Sequence, residues 1–255
     1  MTTELILYLE PSAQSSLCTQ TRSFFHASRS QPFARNEALR YPVHCTMLGF
    51  FDKPSSASSS PSGVDSLKEY LDRSIAQIQH QLSLQPFVPG PQAQQKQHQE
   101  HQEQKKPAVL IQGFVRPGPE TLLISLLPSD ELLALVASLT AHFPELGLRP
   151  KRINHLSLCY WDESEMVRRG SLSDLEKKQR QEWTDYAQTL AWEAIPMLRT
   201  DPIPQPHAEQ GQEQRQQPSQ HFLNESWDIV LYEIHGRDKS NDLPYPLQEL
   251  KRWTL

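Results

Sequence analysis

The chain is short of cysteine, of basic excess and of long apolar runs, and each shortage excludes a class of protein. Three cysteines (Cys18, Cys45 and Cys159) in 255 residues cannot build a disulfide scaffold. Their odd number, and the apolar surroundings of Cys45 and Cys159, suit buried free thiols in a reducing compartment. The formal net charge is −5, so no global basic surface argues for duplex DNA, and small substrates are favoured over long RNA. No stretch reaches the length of a membrane-spanning helix. The opening MTTELILYLEP carries an apolar run too short for a signal peptide, with no basic segment ahead of it. The expectation is a soluble intracellular chain, cytoplasmic or nuclear, with no membrane partner.

Hydrophobic residues make up 37% of the chain, below the usual globular share, and the deficit is local. Residues 54–63 (PSSASSSPSG), 89–107 (PGPQAQQKQHQEHQEQKKP) and 201–220 (DPIPQPHAEQGQEQRQQPSQ) are nearly free of aliphatic side chains. Such segments cannot bury enough surface to order themselves. His98, His101 and His207 lie there and read as parts of solvated spacers rather than metal ligands. Ordered-looking sequence flanks each spacer, and lengthening a loop costs little extra entropy. The three are therefore read as insertions into one domain spanning 1–255.

Between the insertions, strands and helices mix without regular alternation. Strands are predicted at 4–9, 43–51, 108–115, 121–127, 153–160 and 227–234, with an edge strand near 247–255. A Pro-Gly-Pro turn is expected between 108–115 and 121–127. Helices are predicted from Pro11-Ser12 to Ser28, over 64–84 and 172–195, and from a Ser129 or Asp130 cap to about Phe143. This mixture favours an α+β fold with largely antiparallel sheets. Each half also shows a strand, a helix, a strand bearing a histidine, then another helix, the order that a duplicated lobe would give.

Two segments carry the chemistry, Val43-His44-Cys45-Thr46-Met47-Leu48 and Ile153-Asn154-His155-Leu156-Ser157-Leu158. In a strand, residues two apart share a face, so His44 pairs with Thr46 and His155 with Ser157. One imidazole can accept a proton and the other give one, while the hydroxyls hold phosphate oxygens. His26-Ala27-Ser28 has the same spacing, but it lies on a predicted helix, where residues two apart diverge. Asn154 breaks the match between the copies, since Val43 stands at the equivalent position.

His44-Cys45-Thr46-Met47 and His155-Leu156-Ser157-Leu158 resemble the paired signature of the two-histidine (2H) phosphoesterase superfamily. Further stretches are similar to one branch of it, the phosphoesterase domain of the suppressor of T-cell receptor signalling proteins. These are LILYLEP, Asn36-Glu37-Ala38 leading to Tyr41-Pro42-Val43-His44, Gly49-Phe50-Phe51, and the strand Trp227 to Tyr232. The resemblance covers nearly the whole chain outside the insertions and implies a bilobal fold. Two antiparallel sheets would face a central groove, with helices outside and His44 and His155 at its centre. It also implies metal-independent hydrolysis of cyclic phosphodiesters, 2′,3′-cyclic phosphates or related nucleotides, with no cofactor. The expected partner is a small nucleotide or an RNA end, bound by a monomer.

No Asp/Glu cluster accompanies either histidine, which argues against a two-metal site. Cys159, four residues from His155 and expected on the same face, is the one near candidate for a third zinc ligand. His155 is taken as base and His44 as acid, an order that the pseudo-symmetry leaves exchangeable. Tyr160 and Trp161 could stack a base or pack the sheet. Lys151 and Arg152 could hold a second phosphate or be solvated flanking charges, as Arg168 and Arg169 are expected to be. Phe50, Phe51, Trp183 and Trp192 read as core. The competing functions are a non-catalytic nucleotide-binding module and a protein-interaction scaffold presenting its Gln-rich loops.

Overall fold

A computed structural model of the chain describes residues 3–29, 36–52, 63–84, 106–161, 173–198, 225–235 and 246–255. Of the three expected insertions, only Gly63, Lys106 and Pro107 fall inside these ranges; His98, His101, His207, Arg168 and Arg169 lie outside the described residues. Among these residues, eight strands and four α-helices follow in the order β1 (Thr3–Pro11), α1 (Ser16–Arg29), β2 (Cys45–Asp52), α2 (Gly63–Leu84), β3 (Val109–Gly118), β4 (Thr121–Pro128), α3 (Asp130–His142), β5 (Arg149–Pro150), β6 (His155–Cys159), α4 (Asp174–Ala194), β7 (Trp227–His235) and β8 (Leu247–Thr254). They form two antiparallel sheets, one ordered β5-β2-β1-β7-β8 and the other β3-β4-β6.

Alternation sets the faces of the larger sheet. Leu5, Leu7 and Leu9 of β1 point into the main core with Leu48, Phe51, Ile229, Leu231 and Trp253. Ile6 and Tyr8 point the other way and pack with Val230 and Tyr232, joined by half-buried Tyr41, Phe50 and Leu247. The apolar stripe of α2, at Leu67, Leu71, Ile75, Ile78 and Leu82, closes the same main core. Fully burying each such side chain is worth about 1.5–3 kcal/mol. The helix starts are set by side-chain caps. Ser129 Oγ accepts from the Leu132 amide, and Ser173 and Glu176 form a capping box at the start of α4.

Several expectations are corrected. Pro11 ends β1 and Ser15 caps α1 through the Cys18 amide; Ser12 instead donates to Asp228 Oδ1 at 2.6 Å. Pro117 and Gly118 close β3, so the hairpin turns at Pro119-Glu120. Trp183 is core at 2% exposure, but Trp192 is 39% exposed and packs beside Phe114. Nine residues of α-helix is two and a half turns, which sends Trp192 to the opposite side from Trp183. Leu175 and Tyr186 are also exposed.

The duplicated order is visible in the pairing. β1, α1, β2 and α2 run as strand, helix, strand, helix, with β1 antiparallel to β2. β4, α3, β6 and α4 repeat this, apart from the short β5, with β4 antiparallel to β6. β7 and β8 then enlarge the first sheet only.

Candidate active site

β5 explains why the two histidine segments meet. It pairs with β2 at Leu48 and Gly49 in the larger sheet, and the chain then passes through Lys151–Asn154 into β6 of the smaller one. The Lys151 amide donates to the Met47 carbonyl at 2.9 Å. The Cys45 thiol lies against the amide groups of Asn154 and His155. β2 and β6 are thus neighbours at the junction of the sheets without pairing to each other.

His44 precedes β2 rather than lying inside it as expected, but its ring is on the anticipated face. Tyr8 pairs with Thr46 across β1 and β2, and the His44 imidazole stacks on the Tyr8 ring with centroids 3.8 Å apart. Tyr41 flanks it at 5.5 Å. On the smaller sheet, His155 pairs with Ser125 and Ser157 with Leu123, both on the face turned from the buried Leu122, Ile124 and Leu156. His44, Thr46, His155 and Ser157 are all half-buried. Neither the Thr46 nor the Ser157 hydroxyl is hydrogen-bonded to another described residue.

The backbone and one amide fix the tautomers. His44 Nδ1 lies 2.8 Å from the Pro42 carbonyl, which only accepts, so Nδ1 carries the proton and the lone pair of the neutral ring is on Nε2. His155 Nδ1 faces Asn154 Oδ1 at 2.7 Å and donates to it, with the same result. Asn154, the residue that breaks the sequence match, does with a side chain what Pro42 does with its carbonyl.

Burial sets the electrostatics. Packed against Tyr8 and beside Tyr41, the His44 imidazole is pushed down to about 4, mainly by desolvation, with a smaller contribution from the charge of His155 and partial opposition from the Pro42 bond. Burial also lowers His155. Burial raises the Tyr8 phenol well above its usual range, helped by Tyr41, Tyr160 and Glu10. All three cysteines are free and buried; burial pushes the Cys45 thiol up to about 11 and Cys159 up to about 12, so neither is a ready nucleophile at neutral pH.

Cys159 is not on the face of His155. Leu122 pairs with Cys159 and Leu123 with Ser157, so Leu158 is an extra residue in the ladder. The bulge turns Cys159 inward against Thr184 and Trp183. Among the described residues, no group of three or more His, Cys, Asp or Glu is arranged to hold a metal ion. No helix among them is long and apolar enough to cross a membrane.

Tyr160 is half-buried and, with Trp161, packs against the main core. Lys151 and Arg152 are exposed. The Lys151 chain crosses Gly49, its Cε 3.0 Å from where a Cβ would stand, so glycine keeps that path open. His26 is exposed on α1 while Ser28 is fully buried, as expected of a helical pair that cannot act together. Tyr8, Tyr41 and Asn36 join the site without having been singled out as functional side chains. Tyr8 had a readable signal, a phenol alternating with Ile6 and Glu10 along an otherwise apolar strand.

A scan of the sequence against protein-family models finds no match, and a search of curated proteins finds none. The functional reading therefore rests on the residues and their geometry.

Proposed function

We propose that this protein is a metal-independent phosphoesterase. It hydrolyses cyclic phosphodiesters, 2′,3′-cyclic phosphates or related nucleotide and oligonucleotide ends, in a groove between its two sheets. The observation that carries the reading is the matched pair of half-exposed imidazoles. Each is held through Nδ1, each keeps Nε2 available, and the two are close enough that the charge of His155 disfavours a charge on His44.

The deeper desolvation of His44 supports it as the base, with the better-solvated His155 carrying the proton. This reverses the order taken from sequence alone. His44 Nε2 accepts a proton from water as it attacks phosphorus. His155 Nε2 donates one to the leaving ribose oxygen, which opens the ring. Thr46 and Ser157, with hydroxyls uncommitted among the described residues, donate to the non-bridging oxygens where charge builds. Asn154 and the Pro42 carbonyl hold the rings in the productive tautomer.

The test is turnover of a panel of 2′,3′- and 3′,5′-cyclic nucleotides by the purified chain in EDTA, with product identification. His44→Ala and His155→Ala are each expected to lose at least about a hundredfold in kcat, the scale of general acid–base catalysis. Ser157→Ala is expected to lose a comparable factor, as removal of an oxyanion donor does. Nucleotide binding without turnover in the wild type would replace the enzyme reading with a binding module.

A further inference from the structure

We propose that the cavity between α1 and the Tyr41–Val43 segment is a second phosphate-binding subsite, taking a phosphate that flanks the scissile one in the same substrate. The inference rests on the phosphoesterase reading for what occupies the neighbouring site. The cavity has a volume of about 440 Å³ and is lined by Arg22, His26, Arg29, Tyr41, Glu10 and Arg252, among others. Arg22, His26 and Arg29 follow four- and three-residue spacing, so they share one face of α1.

Among the described residues, the charge of that face lacks a free counterpart. Arg22 and His26 are exposed, with no hydrogen bond or ion pair to any described residue. Arg29 is held through Nη2 to the Leu39 carbonyl at 3.0 Å, a neutral acceptor that leaves its charge uncompensated. Glu10 is the carboxylate in the lining, and it is already committed. It accepts from the Tyr232 hydroxyl at 2.9 Å and from Arg252 Nη2 at 3.1 Å. A bound anion compensates the guanidinium charges of Arg22 and Arg29, and the His26 ring offers a hydrogen-bonding group between them.

The cavity adjoins the candidate active site through the Tyr41–Val43 segment that leads into His44. Tyr41 lines it and also flanks the His44 ring. Glu10 shares a face of β1 with Tyr8, the ring on which His44 stacks. A substrate with its scissile phosphorus between the imidazoles therefore reaches the cationic face of α1 with whatever lies next along it. In an oligonucleotide, or a mononucleotide that carries a second terminal phosphate, that includes another phosphate, and guanidinium groups match phosphate oxygens in charge and geometry. The second phosphate can be a terminal monoester on a mononucleotide or the backbone diester of an oligonucleotide.

Calorimetric binding separates these sources and needs no turnover. The ligands are adenosine 3′-monophosphate, adenosine 3′,5′-bisphosphate, and the dinucleotide ApA carrying a 3′-monophosphate. The wild type is expected to bind at least one of the two longer ligands about tenfold more tightly than the monophosphate, as one added, partly screened charge-assisted contact gives. Preference for the bisphosphate identifies a terminal phosphate, and preference for ApA a strand. Arg22→Gln/His26→Gln is expected to erase the preference while leaving monophosphate affinity and melting temperature unchanged, and Arg22→Lys to keep most of it. No preference in the wild type, or a preference surviving in the double variant, overturns the subsite. A preference without turnover of any cyclic substrate leaves the subsite standing and removes the catalytic reading. Turnover without a preference does the reverse.

Discussion

A neutral imidazole shielded from water resists protonation, and His44 is shielded by the stacked Tyr8 ring and the neighbouring Tyr41. Its depression to about 4, and the lesser burial of His155, set the pH behaviour expected of the proposed reaction. The proposed mechanism requires His44 neutral and His155 protonated. The profile of kcat/KM should therefore be a bell, with its acid limb near pH 4 and its alkaline limb below the ordinary histidine value of about 6.5. Stability follows the same groups. Between pH 6.5 and 4 the unfolded chain binds protons at His44 that the folded chain does not, so stability falls as pH drops through that window. The slope from this residue is at most about 1.4 kcal/mol per pH unit. Urea midpoints measured across the window should show this loss, and His44→Gln should flatten it. A rate plateau extending above pH 7.5 would contradict the proton assignment.

At the scale of elements, one side chain ties the approach to His44 onto β6. Asn36 Nδ2 donates to the Leu158 carbonyl at 2.7 Å, and Asn36 Oδ1 accepts from the Ala38 and Tyr160 amides at 3.0 and 3.2 Å. The Glu37 amide adds a bond to the Tyr160 carbonyl at 3.1 Å. The short 3₁₀ turn Glu37–Arg40 and Tyr41-Pro42, which deliver His44, are thereby fixed against the strand that carries His155. Asn36→Ala strands these buried groups at about 1–3 kcal/mol each. It is expected to lower the urea midpoint, and to lower kcat even at temperatures where the variant remains folded. An unchanged midpoint would show that the clamp is not needed. Sequence alone could not show this clamp, because the Leu158 carbonyl is 122 residues from Asn36. What sequence did show was periodic. ELILYL, WDIVLYEI and the Leu67–Leu82 stripe mark β1, β7 and α2 because burial imposes a period of 2 or 3.6. Bulges break that period without a local signal, which is why Cys159 was expected on the wrong face. A strand end has no sharp local signal either, so His44 was expected inside β2 rather than one residue before it.

At the scale of the whole molecule, the first strand and the last are joined through a charged cluster on the face opposite the main core. Arg252 of β8 reaches Asp228 Oδ2 at 3.0 Å and Glu10 Oε2 at 3.1 Å, while Glu249 holds the same guanidinium at 2.8 Å. Tyr232 and Ser12 satisfy the remaining carboxylate oxygens. Glu10 and Asp228 are buried, at 6% and 4% exposure, so one cation compensates two desolvated anions. Removing it leaves both uncompensated, and breaking buried pairs in this way costs about 3–5 kcal/mol. Arg252→Gln is accordingly expected to lose about 3 kcal/mol at pH 8, the lower end because the guanidinium is itself partly exposed. The pH dependence identifies the cause. Burial raises the Glu10 carboxyl, while Tyr232 and Arg252 hold it down, so without Arg252 it rises further. A raised carboxyl binds its proton in the folded state before the unfolded one does, so the variant regains stability as pH falls towards 5. The difference from wild type should therefore be smaller at pH 5 than at pH 8. Arg252→Lys keeps the charge but not the fork that spans both carboxylates, and should lose an intermediate amount at pH 8. Equal losses at both pH values would assign the role of Arg252 to packing of its aliphatic stem, and the cluster would not be what holds β8 to β7 and β1.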